Sequence, residues 1–445
     1  MNIIKKIKER LSSFQIIILG FAGVILLGTL LLMLPISSQS GSFTPFNKSL
    51  FTATSAVCVT GLVLVDTASH WSYFGQAIIL ILIQIGGLGV ITVASSLALL
   101  AGKKISVMQR QTMQNSISAP QVGGVVKLTK FIFKTSFLIE FLGAVSLMPV
   151  FCKRYGAEGI WMSVFHSISA FCNAGFDLMG TKSGQFTSIT AFADDFYATI
   201  VFSIIIIAGG LGFLTWEDIK TKKIKFSEYR MQSKVIIITS LALIVIPAII
   251  FFAVDFAEVS MKQRICTSIF HAVTPRTAGF NTADYMSMRD SGRAITMVLM
   301  LIGGSPGSTA GGMKTTTIAI LFLNAIAVFR KRSNANCFGR RIEDSVVKNA
   351  ATILFMYITL AMVSAIVIGI VEDLPLATTM FETMSAIGTV GLSLGATPGL
   401  GIISQIILIV LMFFGRVGGL TLIYAAFSHQ DTFASKYPVG NIMVG

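Results

Sequence analysis

One short pattern occurs four times in this chain and constrains its fold more than any other feature. Phe, a run of small and polar residues, Ser or Thr followed by Ala or Pro, and a closing Gly run from Phe51 to Gly61, Phe165 to Gly175, Phe270 to Gly279 and Phe381 to Gly391. The closing glycines are 114, 104 and 112 residues apart, and the third copy is one residue shorter than the rest. A second glycine cluster begins at Gly86, Gly209, Gly303 and Gly415, which is 25, 34, 24 and 24 residues further on. The second copy thus carries about ten extra residues, placed in an outer loop over 177–195. Self-similarity at a long period marks one supersecondary unit used repeatedly.

Each copy lies between apolar runs. These fall at 12–34, 77–100, 131–150, 197–213, 235–253, 294–328, 351–371 and 402–427, the fourth short and the sixth and eighth interrupted. Apolar residues make up 54% and charged residues only 12%, with a mean hydropathy of +0.80. Soluble chains carry about 25% charged residues, so the shortfall reads as lipid-facing surface. The run at 12–34 stands where a repeat needs its first helix, so it is expected to be retained rather than removed as a signal peptide. Of 34 Lys and Arg, 23 fall on one set of alternate flanks and 8 on the other, with Arg276, Lys314 and Arg416 inside membrane segments. The richer side is cytoplasmic by the positive-inside rule, and both termini lie there. The net charge of +14 is then a topology signal, with no call for nucleic acid.

The segment before each closing glycine is some 10–13 residues long. As a helix it reaches about 15–20 Å, too short for a hydrocarbon core about 30 Å thick. It must dip in and return, and irregular backbone at that depth survives only inside protein or along a water-filled path. The expected fold is therefore an all-α integral membrane protein. It has four tandem helix–pore loop–helix repeats around a central pore, with eight transmembrane helices and four re-entrant pore helices. The repeats span 12–102, 127–220, 232–330 and 348–428, between cytoplasmic ends at 1–11 and 429–445.

Such a pore suits a cation. Rings of backbone carbonyls can replace an ion's hydration shell without charged side chains, and turning them toward one axis takes dihedrals that glycine adopts most cheaply. Helix C-termini aimed at the centre add partial negative charge. Any single glycine could instead serve close helix packing, but four in register after one pattern favour a filter. Thr389-Val390-Gly391 resembles the filter core of potassium channels, and the fourfold array resembles the Trk/Ktr/HKT superfamily of potassium transporters over about residues 12–430. The short N-terminus is most similar to the Ktr membrane subunit of Gram-positive bacteria. The resemblance implies a potassium-binding filter made of Val59, Thr60 and Gly61, Asn173, Ala174 and Gly175, Thr277, Ala278 and Gly279, and Thr389, Val390 and Gly391. No copy has the second glycine of a channel filter; Leu62-Val63, Phe176-Asp177, Phe280-Asn281 and Leu392-Ser393 stand there. Fewer ordered sites and weaker exclusion of sodium follow.

Gly303, Gly304, Ser305, Pro306, Gly307, Ser308, Thr309, Ala310, Gly311, Gly312, Met313 and Lys314 interrupt the sixth span. Each interior Gly costs a helix about 1 kcal/mol and Pro about 3, so the helix stops here. The resemblance implies an intramembrane gate below the filter. Gly307 and Gly312 imitate a phosphate-binding loop, but Met313 displaces its lysine and no strand precedes it. Arg416 lies mid-span, where an unpaired charge is expensive, and the resemblance places it beside the cavity below the filter. Glu140 is an acidic residue assigned to a span, without an evident partner. His166 and His271 sit in pore helices as packed or hydrogen-bonded residues. Cys58, Cys152, Cys172, Cys266 and Cys337 show no metal or disulfide spacing.

No catalytic cluster or cofactor fingerprint marks an enzyme. Potassium is the only small ligand expected in the pore, and nothing is covalently bound. A sodium-coupled or alternating-access transporter is the alternative, although such folds favour inverted twofold repeats over four parallel ones. No cytoplasmic stretch is long enough to bury a core, so a gate takes its input from elsewhere. The resemblance implies a homodimer on a cytoplasmic ring of nucleotide-binding Rossmann-type subunits. The basic inner face also suits anionic lipid.

Overall fold

The computed structural model describes residues 12–100, 107–117 and 124–426. The expected cytoplasmic ends, 1–11 and 429–445, lie outside the described residues. In the first repeat α1 (Ser13–Met33) leads to a short α2 (Phe46–Val57), a one-turn α3 (Thr67–His70), then α4 (Tyr73–Leu88) and α5 (Val90–Leu100). α6 (Val107–Ser116) precedes the second, made of α7 (Val125–Tyr155), α8 (Glu158–Phe171), α9 (Phe196–Gly210) and α10 (Phe213–Lys222). The third comprises α11 (Met231–Val254), α12 (Met261–Val273), α13 (Asp290–Leu301) and α14 (Thr315–Phe329). A small hairpin, β1 (Asn336–Cys337) with β2 (Arg340–Arg341), leads to α15 (Asp344–Glu372), α16 (Leu376–Gly388), α17 (Ile402–Val417) and α18 (Gly419–Ala426).

α1, α7, α11 and α15 are each long and apolar enough to cross a bilayer. They turn large apolar side chains outward, among them Leu26, Phe141, Ile249 and Ile370. The interior is rich in Ser and Thr, many fully buried. These hydroxyls are set within a large apolar core that includes Phe51, Phe165, Phe270 and Phe381.

The short helices α2, α8, α12 and α16 pack inside this shell, and the packing order closes on itself. α4 packs on α8, α9 on α12, α13 on α16, and α17 returns to α2.

One expected continuous span, 77–100, is corrected, while that at 197–213 ends close to where its helix does. The run at 77–100 breaks after Leu88, where α5 turns 96° from α4; past Gly210, α10 turns 99° from α9, and α17 and α18 meet at 92°. The turning residues Gly89, Gly212 and Gly418 have φ of +87°, +87° and +90°, a region that side chains disfavour. The bends follow tight packing one step earlier. A Cβ added to Gly86 would stand 2.0 Å from the carbonyl oxygen of Val57, one on Gly209 1.9 Å from that of Phe171, and one on Gly415 2.1 Å from that of Ile387. Each helix thus presses directly on the C-terminal end of its own repeat's short helix.

Gly209→Ala is expected to destabilise the purified protein by about 1–3 kcal/mol through over-packing, read as a lower melting temperature in detergent. Gly23→Ala, whose added methyl meets nothing within 4 Å, should leave the melting temperature unchanged or raise it.

Candidate functional site

The four closing glycines stand together as a closed ring. A Cβ on Gly61 would lie 2.5 Å from the carbonyl oxygen of Ala174, on Gly175 2.9 Å from that of Ala278, on Gly279 2.2 Å from that of Val390, and on Gly391 2.2 Å from that of Thr60. Each glycine thus abuts the carbonyl just before its neighbour's glycine, and four carbonyls share one level. No side chain fits there. The glycines have φ between +69° and +93°, and the residues two before them, Val59, Asn173, Thr277 and Thr389, have φ of +50°, +57°, +75° and +53°. Three of those four are β-branched, for which a left-handed φ is costly. Strain of this kind is held only where surrounding structure imposes it. Alternating signs of φ along the strand turn successive carbonyls to the same side, unlike a β-strand. α2, α8, α12 and α16 all end where these strands begin, aiming their negative ends inward.

The Ser or Thr of the repeated pattern braces this backbone. The Gly61 and Gly391 N–H groups donate to Ser55 Oγ and Ser385 Oγ, both at 3.0 Å. Ser169 Oγ donates to the Phe176 carbonyl at 2.7 Å and Thr274 Oγ1 to that of Phe280 at 2.5 Å. The shorter third copy absorbs its missing residue in one bond. Thr60, Ala174 and Val390 N–H groups reach back five residues, whereas Ala278 reaches back four, to Thr274.

The residue after each Phe holds the outgoing strand in at least two copies. His166 Nε2 accepts from Leu178 N–H at 3.2 Å. Glu382, buried, accepts from Ser393 Oγ, Leu394 N–H and Thr397 Oγ1 at 2.7, 2.9 and 2.5 Å. Glu382 was missed as a buried charge in sequence. Its alignment with Thr52, His166 and His271 was the available signal.

The interrupted segment lies against the ring's inner side. A Cβ on Gly311 would meet Thr389 Oγ1 at 2.1 Å. Backbone bonds tie the segment to the second repeat through Ser305 to Gly210, Thr309 to Gly209 and Phe213 to Gly307, at 2.9, 3.3 and 2.7 Å. Gly312 N–H binds the Gly415 carbonyl of the fourth repeat at 3.1 Å. Arg416 donates to the carbonyls of Thr309, Gly86 and Gly87, joining three repeats without a carboxylate. Lys314 Nζ donates to Ala310 and Gly311 carbonyls at 2.8 and 3.3 Å. Beneath lies a cavity of about 150 Å³ lined by Phe21, Asn115, Lys314, Arg416 and Thr421. A separate cavity of about 160 Å³ opens on the ring's other side, reaching Gly61, Gly175, Gly279 and Gly391. The segment stands between them.

Thr60, Thr277 and Thr389 carry buried hydroxyls without hydrogen-bond partners among the described residues. Glu140 Oε1 accepts from Gln84 Nε2 at 2.8 Å, beside Phe137 and Phe141 and away from the ring. Arg276, in the third strand, turns away from the ring to Ser240 Oγ at 3.1 Å.

Ser385→Ala leaves the Gly391 N–H without its partner. A loss of about 1–3 kcal/mol is expected, seen as a lower melting temperature that Ser385→Thr largely restores.

The TrkH family, described as a cation transport protein, matches residues 8–436. Over the whole of both chains the protein is 41% identical to the "Potassium/sodium uptake protein NtpJ" of Enterococcus hirae. It is 35% identical to the "Ktr system potassium uptake protein B" of Bacillus subtilis, over 97% of this chain and 96% of the other. The solved potassium transporter TrkH from Vibrio parahaemolyticus shares the fold, with a TM-score of 0.71 over 91% of this chain and 84% of that one at 17% identity. The chain is a multi-pass membrane protein and belongs to the TrkH family of cation transport proteins.

Proposed function

We propose that this chain conducts potassium into the cell through a gated, channel-like pore, as the translocating subunit of a Ktr-type uptake system. Four repeats of two crossings surround the pore, with both termini cytoplasmic. The observation that carries this reading is the closed ring of four glycines with four carbonyls at one level. Neutral carbonyls in a ring suit a large monovalent cation whose dehydration is affordable. The names of the Enterococcus and Bacillus relatives agree with that cargo. With no second glycine after the filter, sodium is excluded less strictly and stimulates or accompanies uptake.

The stitched segment at 303–314 is the gate. It occupies the path between the outer and inner cavities, and Arg416 pins it by its Thr309 carbonyl. The guanidinium also repels cations below the ring. An inside-negative potential supplies about 2.3 kcal/mol per charge per 100 mV, enough to drive entry once the segment moves. Its signal comes from a separate nucleotide-binding Rossmann-type ring beneath a homodimer. Arg330, Lys331, Arg332, Arg340 and Arg341 give an exposed basic inner surface for that contact.

In liposomes of the purified chain, Gly279→Ser and Gly391→Ser should lower potassium affinity and the preference for potassium over sodium, with the protein still folded. Wild-type preference in both variants would remove the filter assignment. Deleting part of Ser305–Gly312 should raise potassium flux in the same assay; flux at the wild-type level with normal insertion would make the segment a passive kink. Native mass measurement should give a dimer with a co-purifying nucleotide-binding partner, whereas a lone monomer insensitive to ATP and ADP would exclude that partner.

A further inference from the structure

The cavity above the ring carries features that the filter does not need. Two residues beyond each closing glycine stand Val63, Asp177, Asn281 and Ser393, and all four line this cavity. Only the second repeat places a charge there. Asp177 is half-buried, accepts from the Met179 N–H at 2.9 Å, and has no Lys or Arg within ion-pair distance among the described residues. A half-buried carboxylate without a counter-charge is expensive, and burial pushes the Asp177 carboxyl up to about 7, so it either takes up a proton or is met by a cation.

A second group points the same way. Tyr285, from the third repeat, lines the cavity while its ring is buried at 1% exposure, and its hydroxyl has no hydrogen-bond partner among the described residues. Its ring packs against His271 and Phe381, with centroids 4.9 and 5.7 Å away, so the hydroxyl is held in place. The insertion that sets the second repeat apart completes the wall. Phe186 N–H donates to Asp66 Oδ2 and Asn281 N–H to Ser188 Oγ, both at 3.2 Å, which straps the loop to the first and third repeats.

We propose that Asp177, with the Asn281 side chain and the Tyr285 hydroxyl, forms an outer site that holds a potassium ion with part of its water shell before it enters the filter. The inference rests on the pore reading and adds to it a loading step outside the carbonyl ring. The size is suitable: about 160 Å³ is room for about five water volumes at ~30 Å³ each. Asp177 takes the place of part of the ion's water shell. The charge raises the local cation concentration at the mouth, and the neutral oxygens keep the ion from being trapped.

The test uses the full chain in liposomes, with potassium influx measured against external potassium. Asp177→Asn keeps the acceptor for Met179 and removes only the charge. It should raise the apparent KM about fivefold, the effect of one unit charge ~4 Å away in a water-filled mouth. The ion preference should remain that of the wild type. The shift should persist in high choline chloride, which screens remote surface charge. Asp177→Glu should restore most of the affinity, and Tyr285→Phe should raise KM by less than Asp177→Asn. An Asp177→Asn KM equal to the wild type, a shift that vanishes in choline, or Asp177→Glu as weak as Asp177→Asn would each overturn the site. Gly279→Ser separates the two readings. If it alters ion preference while Asp177→Asn leaves KM unmoved, only the outer site falls; if the wild type carries no potassium, the pore falls with it.

Discussion

Everything in this protein hangs on how unpaired backbone carbonyls are kept at membrane depth. In lipid a peptide group without a partner costs several kcal/mol, so a strand that leaves its carbonyls free needs a reason and a support. The reason is the ring itself, in which Thr60, Ala174, Ala278 and Val390 bring four oxygens to one level. The support is distributed. Ser55, Ser169, Thr274 and Ser385 brace the strands, while His166 and Glu382 hold the outgoing chain. The left-handed conformations of Val59, Asn173, Thr277 and Thr389 are imposed by this frame rather than chosen locally.

The same constraint explains the helices that follow. For the four short helices to end at one point, their C-termini must crowd together, and the next helix in each chain segment must press close behind. Gly86, Gly209 and Gly415 make that contact possible, and the left-handed glycines just after them turn the chain away. In the third repeat the corresponding region does not bend into a second helix. It unwinds into the 303–314 segment, whose polar backbone finds partners in the second and fourth repeats. Arg416 is tolerable at this depth because it donates to carbonyls at the two breaks, those of Gly86, Gly87 and Thr309. A guanidinium satisfied by carbonyls keeps its charge, which a carboxylate partner would have cancelled.

Much of this was legible in sequence, and the reasons are physical. A glycine forced by backbone contact takes a side chain only at a cost, so four of them in register stand out as a repeat. Five glycines and a proline between Gly303 and Gly312 likewise cannot hide inside a helix. The bends at Gly89 and Gly212 were not legible. Apolar character continues straight through the first, and hydropathy does not register a change of direction. Arg416's partners were also hidden, since carbonyls carry no sequence signature and these come from residues more than 100 positions away. Glu382 escaped notice because its burial depends on Ser393 and Thr397, which return over it only in the folded chain. Asp177 was visible as a departure from the channel pattern, but its lack of a counter-charge is a property of the assembled mouth.

The most direct measurement of the central claim is the position of the ion. Crystals or frozen particles of the protein equilibrated with rubidium or thallium would locate a heavy potassium substitute by its scattering. The account predicts density on the axis at the level of the Thr60, Ala174, Ala278 and Val390 carbonyls. Density elsewhere in a transport-competent protein, with that level empty, would contradict it.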